Sequence, residues 1–68
     1  MRLSARNQLP GRVVAIRLGT VMAEVSIDIG GHTLVAAITR ASAEALGLRE
    51  GDRVTAVVKS TEIIVGKD

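Results

Sequence analysis

Hydrophobic and polar positions alternate along most of this chain with the period of a β-strand. From residue 21 to residue 29, Val21, Ala23, Val25, Ile27 and Ile29 fall on one face, and Met22, Glu24, Ser26 and Asp28 on the other. A period of two over this length marks a half-buried strand. Gly30-Gly31 follows, a two-residue hairpin signal, and residues 32–38 return as its partner with Leu34, Ala36 and Ile38 inward. Upstream, residues 12–18 are rich in Val and Ile, with Val14, Ile16 and Leu18 on one face, until Gly19-Thr20 breaks the run. Leu3 to Leu9 reads as an edge strand ended by Pro10-Gly11. Downstream, residues 53–59 place Val54, Ala56 and Val58 on one face. Thr61-Glu62 then bends the chain into a last short strand, Ile63-Ile64-Val65.

One segment breaks the strand rhythm. Thr39 to Gly47 is Ala-rich, opens on a residue able to cap a helix and closes on glycine, which predicts a short helix of about two turns. Leu48 to Asp52 is a turn. The prediction is a mostly β chain: four or five short antiparallel strands with one short helix, curled into a small OB-like barrel. Residues 1–68 read as one domain, without repeat, linker or low-complexity segment.

Composition sharpens this picture. A chain of 68 residues buries only a limited core. Its apolar fraction is 47%, yet it has no Phe, Tyr or Trp, so the core is a thin one of Val, Ile, Leu and Ala. There is no cysteine, which excludes disulfides and thiolate metal sites. The single histidine, His32, stands beside no carboxylate cluster and builds no zinc site alone. Oligomerisation is the remaining support. The longest purely apolar run, Leu34 to Ile38, is far too short to span a membrane, and Met1-Arg2-Leu3-Ser4 opens no signal peptide. A cytoplasmic location is expected. The net charge of +2 suits an anionic partner without identifying one.

Enzymatic constellations are weak. His32 reads as an exposed loop histidine after the Gly30-Gly31 turn, with no serine and orienting group in view. Glu24 and Asp28 are ordinary solvent-facing carboxylates, and no glycine-rich nucleotide loop is present. No catalysis is expected.

Two segments carry more chemistry than their positions require. Leu3-Ser4-Ala5-Arg6-Asn7-Gln8-Leu9 packs four hydrogen-bonding side chains between two leucines. Val57-Val58-Lys59-Ser60-Thr61 ends an apolar strand on a cation and two hydroxyls. Either alone is an ordinary polar strand end. Together, Ser4, Arg6, Lys59 and Ser60 form a lining of donors suited to a fully deprotonated dianion, with Arg supplying a planar fork and Lys a point charge. Thr39 and Ser42, at the start of the helix beside its backbone N–H groups, are a third candidate element.

Ser4-Ala5-Arg6-Asn7-Gln8-Leu9, the stretch Ile38-Thr39 to Leu46-Gly47-Leu48, Glu50-Gly51 and Thr55 to Thr61 resemble the molbindins, the molybdate- and tungstate-binding proteins of the Mop-domain family. The likeness runs from about Leu3 to Val65. It implies an OB-like barrel that assembles as a hexamer, a trimer of dimers, with oxyanions held between subunits. It also implies a cytoplasmic protein that stores or buffers molybdate or tungstate. The molybdenum is bound as its oxyanion, with no metal coordinated directly by the protein. By the same resemblance, Ser4 and Arg6 of one subunit meet Thr39, Ser42, Lys59 and Ser60 of its neighbour. One position departs from the pattern: an arginine near the helix end in some relatives is Ala45 here. Two other readings compete. A nucleic-acid-binding OB module is disfavoured by the lack of aromatic side chains on which bases stack. A purely structural assembly module would form the oligomer and bind nothing.

Overall fold

The Gly30-Gly31 hairpin forms as the pattern predicts, with both glycines at positive φ, and the fold grows outward from it. The computed structural model describes residues 2–68; Met1, where the expected domain begins, lies outside them. Strand β1 spans Asn7–Leu18, β2 Met22–Asp28 and β3 Thr33–Thr39; helix α1 spans Arg40–Leu46 and strand β4 Arg53–Val58. A single 3₁₀ turn, Ser60–Glu62, follows β4. The four strands make one antiparallel sheet in the order β3-β2-β1-β4, curled into a half-barrel.

Strand β1 is the axis of this sheet because it changes partner along its length. Asn7 to Arg12 pair with β4, and Arg12 to Leu18 pair with β2. The expected stop at Pro10-Gly11 is therefore a crossing instead. Pro10 lies in the half of β1 that has a partner on one side only, where a missing N–H is tolerated. A Cβ on Gly11 would sit 2.6 Å from Ile27 Cγ2 and 2.7 Å from the Asp28 carbonyl oxygen. Only glycine lets β1 pass this close over the end of β2.

A second correction concerns which face of β1 is buried. The register shifts between Val13 and Ala15, leaving Val14 as the extra residue of a β-bulge. Val14 is thus 48% exposed, Leu18 is exposed as well, and Val13 takes the inward place, with Ile16 half-buried behind it. Val13 is anchored through its backbone: its N–H donates to the Asp52 carbonyl (2.9 Å) and its carbonyl accepts from Gly51 N–H (2.7 Å).

The core is Val13, Val25, Ile27 and Ala56, with Ile16, Ile29, Leu34, Ala36, Ile38, Leu48 and Val54 packed against it. The inward faces expected for β3 and β4 hold, as does that of β2 except at exposed Val21. Helix α1 buries Ala43 and is closed by Gly47 in the left-handed region (φ 62°), whose N–H and that of Leu48 donate to the Glu44 and Ala43 carbonyls. The expected final strand does not form. Ile63, Ile64 and Val65 find no ladder among the described residues, and Ile64 and Val65 are 93% and 87% exposed. Among the described residues the outer edges of β3 and β4 stay unpaired, and an apolar groove lined by Leu34, Ala36, Ile38, Val54, Ala56 and Val58 runs between them.

Candidate functional site: a donor-lined cleft at the shared end of β1 and β4

The ladder between β1 and β4 sets the site. Asn7 opens β1 and lies opposite Val58, which closes β4. The residues before Asn7 and after Val58 must therefore emerge at one end of the sheet, side by side. Ser4, Ala5, Arg6, Lys59, Ser60 and Thr61 line a single cleft there. Its lining holds two cations and three hydroxyls and no carboxylate. Ser4, Arg6, Lys59 and Ser60 are all exposed, so their donors are open to a ligand. Neither cation is engaged in an ion pair; Arg40–Glu44 is the pair formed among the described residues.

Local bonds hold the two segments in place. The Asn7 side-chain amide donates to the Val58 carbonyl at 3.2 Å and, at 3.5 Å, to the Ser60 hydroxyl. Gln8 Nε2 donates to the Ala5 carbonyl at 2.9 Å. Lys59 keeps extended backbone (φ −65°, ψ 136°), and its carbonyl accepts from Glu62 N–H at 3.0 Å, starting the 3₁₀ turn. This turn swings Ser60 and Thr61 back toward the Ser4 segment.

Thr39 and Ser42 stand elsewhere. Thr39 is opposite Met22 on β2, at the Leu18 end of β1, so all twelve residues of β1 separate it along the sheet from the Asn7 end. Thr39 caps α1: its Oγ1 accepts from Ser42 N–H (3.1 Å) and donates to Ser42 Oγ (2.7 Å). Two of the backbone donors expected to be free at this helix start are in use, since Arg40 N–H donates to the Val21 carbonyl. Arg40 itself is occupied. Its Nε bonds Glu44 Oε1 at 2.8 Å and its Nη1 the Gly19 carbonyl at 3.2 Å. Ala45 is exposed and offers no charge. One chain thus gathers four of the six expected residues in one cleft and keeps the other two as a separate hydroxyl pair.

Comparison with known proteins gives the family. The TOBE domain matches residues 3–65. The chain belongs to the TOBE-domain family. This TOBE chain is 48% identical over 66 residues to "Molybdenum-pterin-binding protein 2" of Clostridium pasteurianum, covering 96% of this chain and 97% of that protein. Among solved structures, a molybdate-binding protein from Sporomusa ovata superposes with a TM-score of 0.94 at 51% identity, over 98% of this chain and 100% of the other. MopII from Clostridium pasteurianum, in an apo form, gives 0.91 at 46% identity over 97% and 100%. The resemblance to the Mop proteins drawn from the two polar segments, the helix stretch and Glu50-Gly51 is borne out, and so is the mostly β fold with one short helix.

Two residues of the TOBE chain have roles that the polar pattern does not reveal. Asn7 and Gln8 count, by type, among the side chains available to a ligand, yet their amide N–H groups bond the protein itself, Asn7 to the Val58 carbonyl and the Ser60 hydroxyl and Gln8 to the Ala5 carbonyl. The signal lies in pairing: the residue opposite the last position of β4 is the one placed to clamp it. His32, by contrast, sits exposed after the hairpin, where its carbonyl accepts from Ile29 N–H at 2.8 Å.

Proposed function

We propose that this chain binds molybdate, with tungstate as a close mimic, as a reversible store or buffer in the cytoplasm, without catalysis. The observation that carries the reading is the cleft where Ser4, Arg6, Lys59 and Ser60 converge with no carboxylate in its lining. A fully deprotonated tetrahedral dianion needs donors on every side and no acceptor, and that is the chemistry of this lining. Sulfate has the same charge and shape but is smaller, so a fixed ring of donors reaches it less well. The names of the relatives, molybdenum-pterin-binding and molybdate-binding proteins, agree with the same ligand.

The complete site is built by a homo-oligomer, a hexamer arranged as a trimer of dimers, in which a neighbouring copy supplies what one chain leaves apart. Ser4, Arg6, Lys59 and Ser60 need Thr39 and Ser42 from another copy to surround the ion. The surface of the chain supports assembly. It exposes 5612 Å², whereas a folded monomer of its mass exposes about 4,100 Å². The excess on one chain, about 1,500 Å², is roughly twice what each partner buries in a standard interface. The open edges of β3 and β4, the groove between them and the bare Ile63-Ile64-Val65 segment are surfaces suited to such contact.

Calorimetric titration with molybdate, sulfate and a short oligonucleotide at two ionic strengths tests the reading. Molybdate should bind, sulfate bind much more weakly and the oligonucleotide not at all. No heat with molybdate, or sulfate bound equally well, would sink it.

A further inference from the structure

A second group of unpaired cations lies away from the cleft. The strand register sets Asp28, Arg12 and Arg53 in one row across β2, β1 and β4. Directly opposed residues of an antiparallel pair project from the same face, about 5 Å apart at Cβ. The two guanidinium groups therefore rise together from the outer face, and all three residues are exposed. Like charges set directly opposite each other destabilise a sheet. Asp28 is the nearest candidate counterion by register, but its Oδ1 accepts from Gly31 N–H (2.9 Å) to hold the hairpin turn. Among the described residues neither arginine makes an ion pair or a side-chain hydrogen bond. Thr55, two positions along β4 on the same face, adds a hydroxyl. Gly11 and Gly30 contribute bare backbone, and together these residues line an open hollow of about 530 Å³.

We propose that this hollow is a second anion site, which takes the phosphate group of an organic phosphate monoester. Arg12 and Arg53 close on the phosphoryl oxygens as two forks, a geometry that guanidinium matches bidentately. Thr55 donates to a further oxygen. Asp28 flanks the arginines, repels an ion charged on all sides and accepts from hydroxyl groups on the organic part. The hollow is roomier than one phosphate needs and lies within the size range of small-molecule sites. The site is independent of the Ser4–Ser60 cleft, with which it shares no lining residue.

The test is a two-dimensional ¹H–¹⁵N spectrum of the full chain, titrated with glycerol 3-phosphate and with inorganic phosphate, each with and without molybdate. The ester should shift the amides of Gly11, Arg12, Arg53 and Thr55 and bind more tightly than inorganic phosphate. Arg12→Gln and Arg53→Gln should each weaken it about tenfold, the loss of one charge-assisted fork, with an unchanged or raised melting temperature. Asp28→Asn, which keeps the turn bond, should narrow the gap between ester and inorganic phosphate. Equal ester binding in the doubly substituted chain would overturn the proposal. So would shifts confined to Ser4, Arg6, Lys59 and Ser60, or shifts abolished by molybdate.

Discussion

At the scale of single residues, the cleft separates side chains left open from side chains that hold its walls. Arg6 and Lys59 are exposed and free of carboxylates, so neutralising either removes attraction for an anion without breaking a contact of the fold. Arg6→Ala and Lys59→Ala should each weaken molybdate binding at least about tenfold, as expected for lost charge-assisted bonds, and leave the oligomer intact by analytical ultracentrifugation. An unchanged affinity in either would remove that residue from the site. Asn7→Ala tests the opposite role: with its bonds to Val58 and Ser60 gone, it should lower thermal stability as well as affinity. Gly11→Ala addresses the strand crossing. Its Cβ has no room against Ile27 and the Asp28 carbonyl, and overpacking of this kind costs about 1–3 kcal/mol. A drop of several degrees in melting temperature is the expected reading.

At the scale of elements, the structure follows the sequence wherever a regular alternation runs unbroken between two turn signals. The alternation of β2, the Gly30-Gly31 hairpin and the capped helix are all purely local features, and all three appear where the residues place them. Capping is testable directly. Thr39→Ala should cost about 1 kcal/mol by chemical denaturation, and Thr39→Ser should restore most of it. What was not legible depends on contacts far apart in sequence. Pro10-Gly11 carries the local signature of a strand end, but the neighbours of that dipeptide are Thr55 and Val54 on one side and Ile27 and Asp28 on the other. No local pattern announces a strand that exchanges partners. The bulge at Val14 is hidden for the same reason: one extra residue inverts the faces, and an apolar residue on each face disguises the slip. Ile63-Ile64-Val65 has strand composition, yet composition supplies no edge to pair with, and within one chain none is taken. For the site, Ser4, Arg6, Lys59 and Ser60 were legible as residue types, and the β1/β4 register explains why they meet. Thr39 and Ser42 show the limit: within one chain they stand at the far end of the sheet from the cleft, and the proposed meeting across copies leaves no mark on the pattern of one chain.

At the scale of the whole molecule, assembly and binding become one question. If the sites are shared between copies, Arg6→Ala and Ser42→Ala damage different contributors to one pocket. Mixing the two variants after dissociation and reassembly should recover part of the molybdate binding that neither shows alone; no recovery would mean that each chain builds its site unaided. An Ile64→Asp change should shift the proposed oligomer toward smaller species, since Ile64 is the most exposed of the large apolar residues. Arg12 is the sole residue of β1 in register with both neighbours, so the strand behaves as a lever with its fulcrum there. The Asn7 arm is steadied only by β4, which is itself an outer strand. An anion that bridges Arg6 and Lys59 ties the free tip of that arm to its single support. Amide hydrogen exchange should then slow from Asn7 to Leu9 and from Ala56 to Val58 when the ion binds, while the Val13–Leu18 arm keeps its rate. The chain would thus register occupancy as a local stiffening, carried by a ladder already in place.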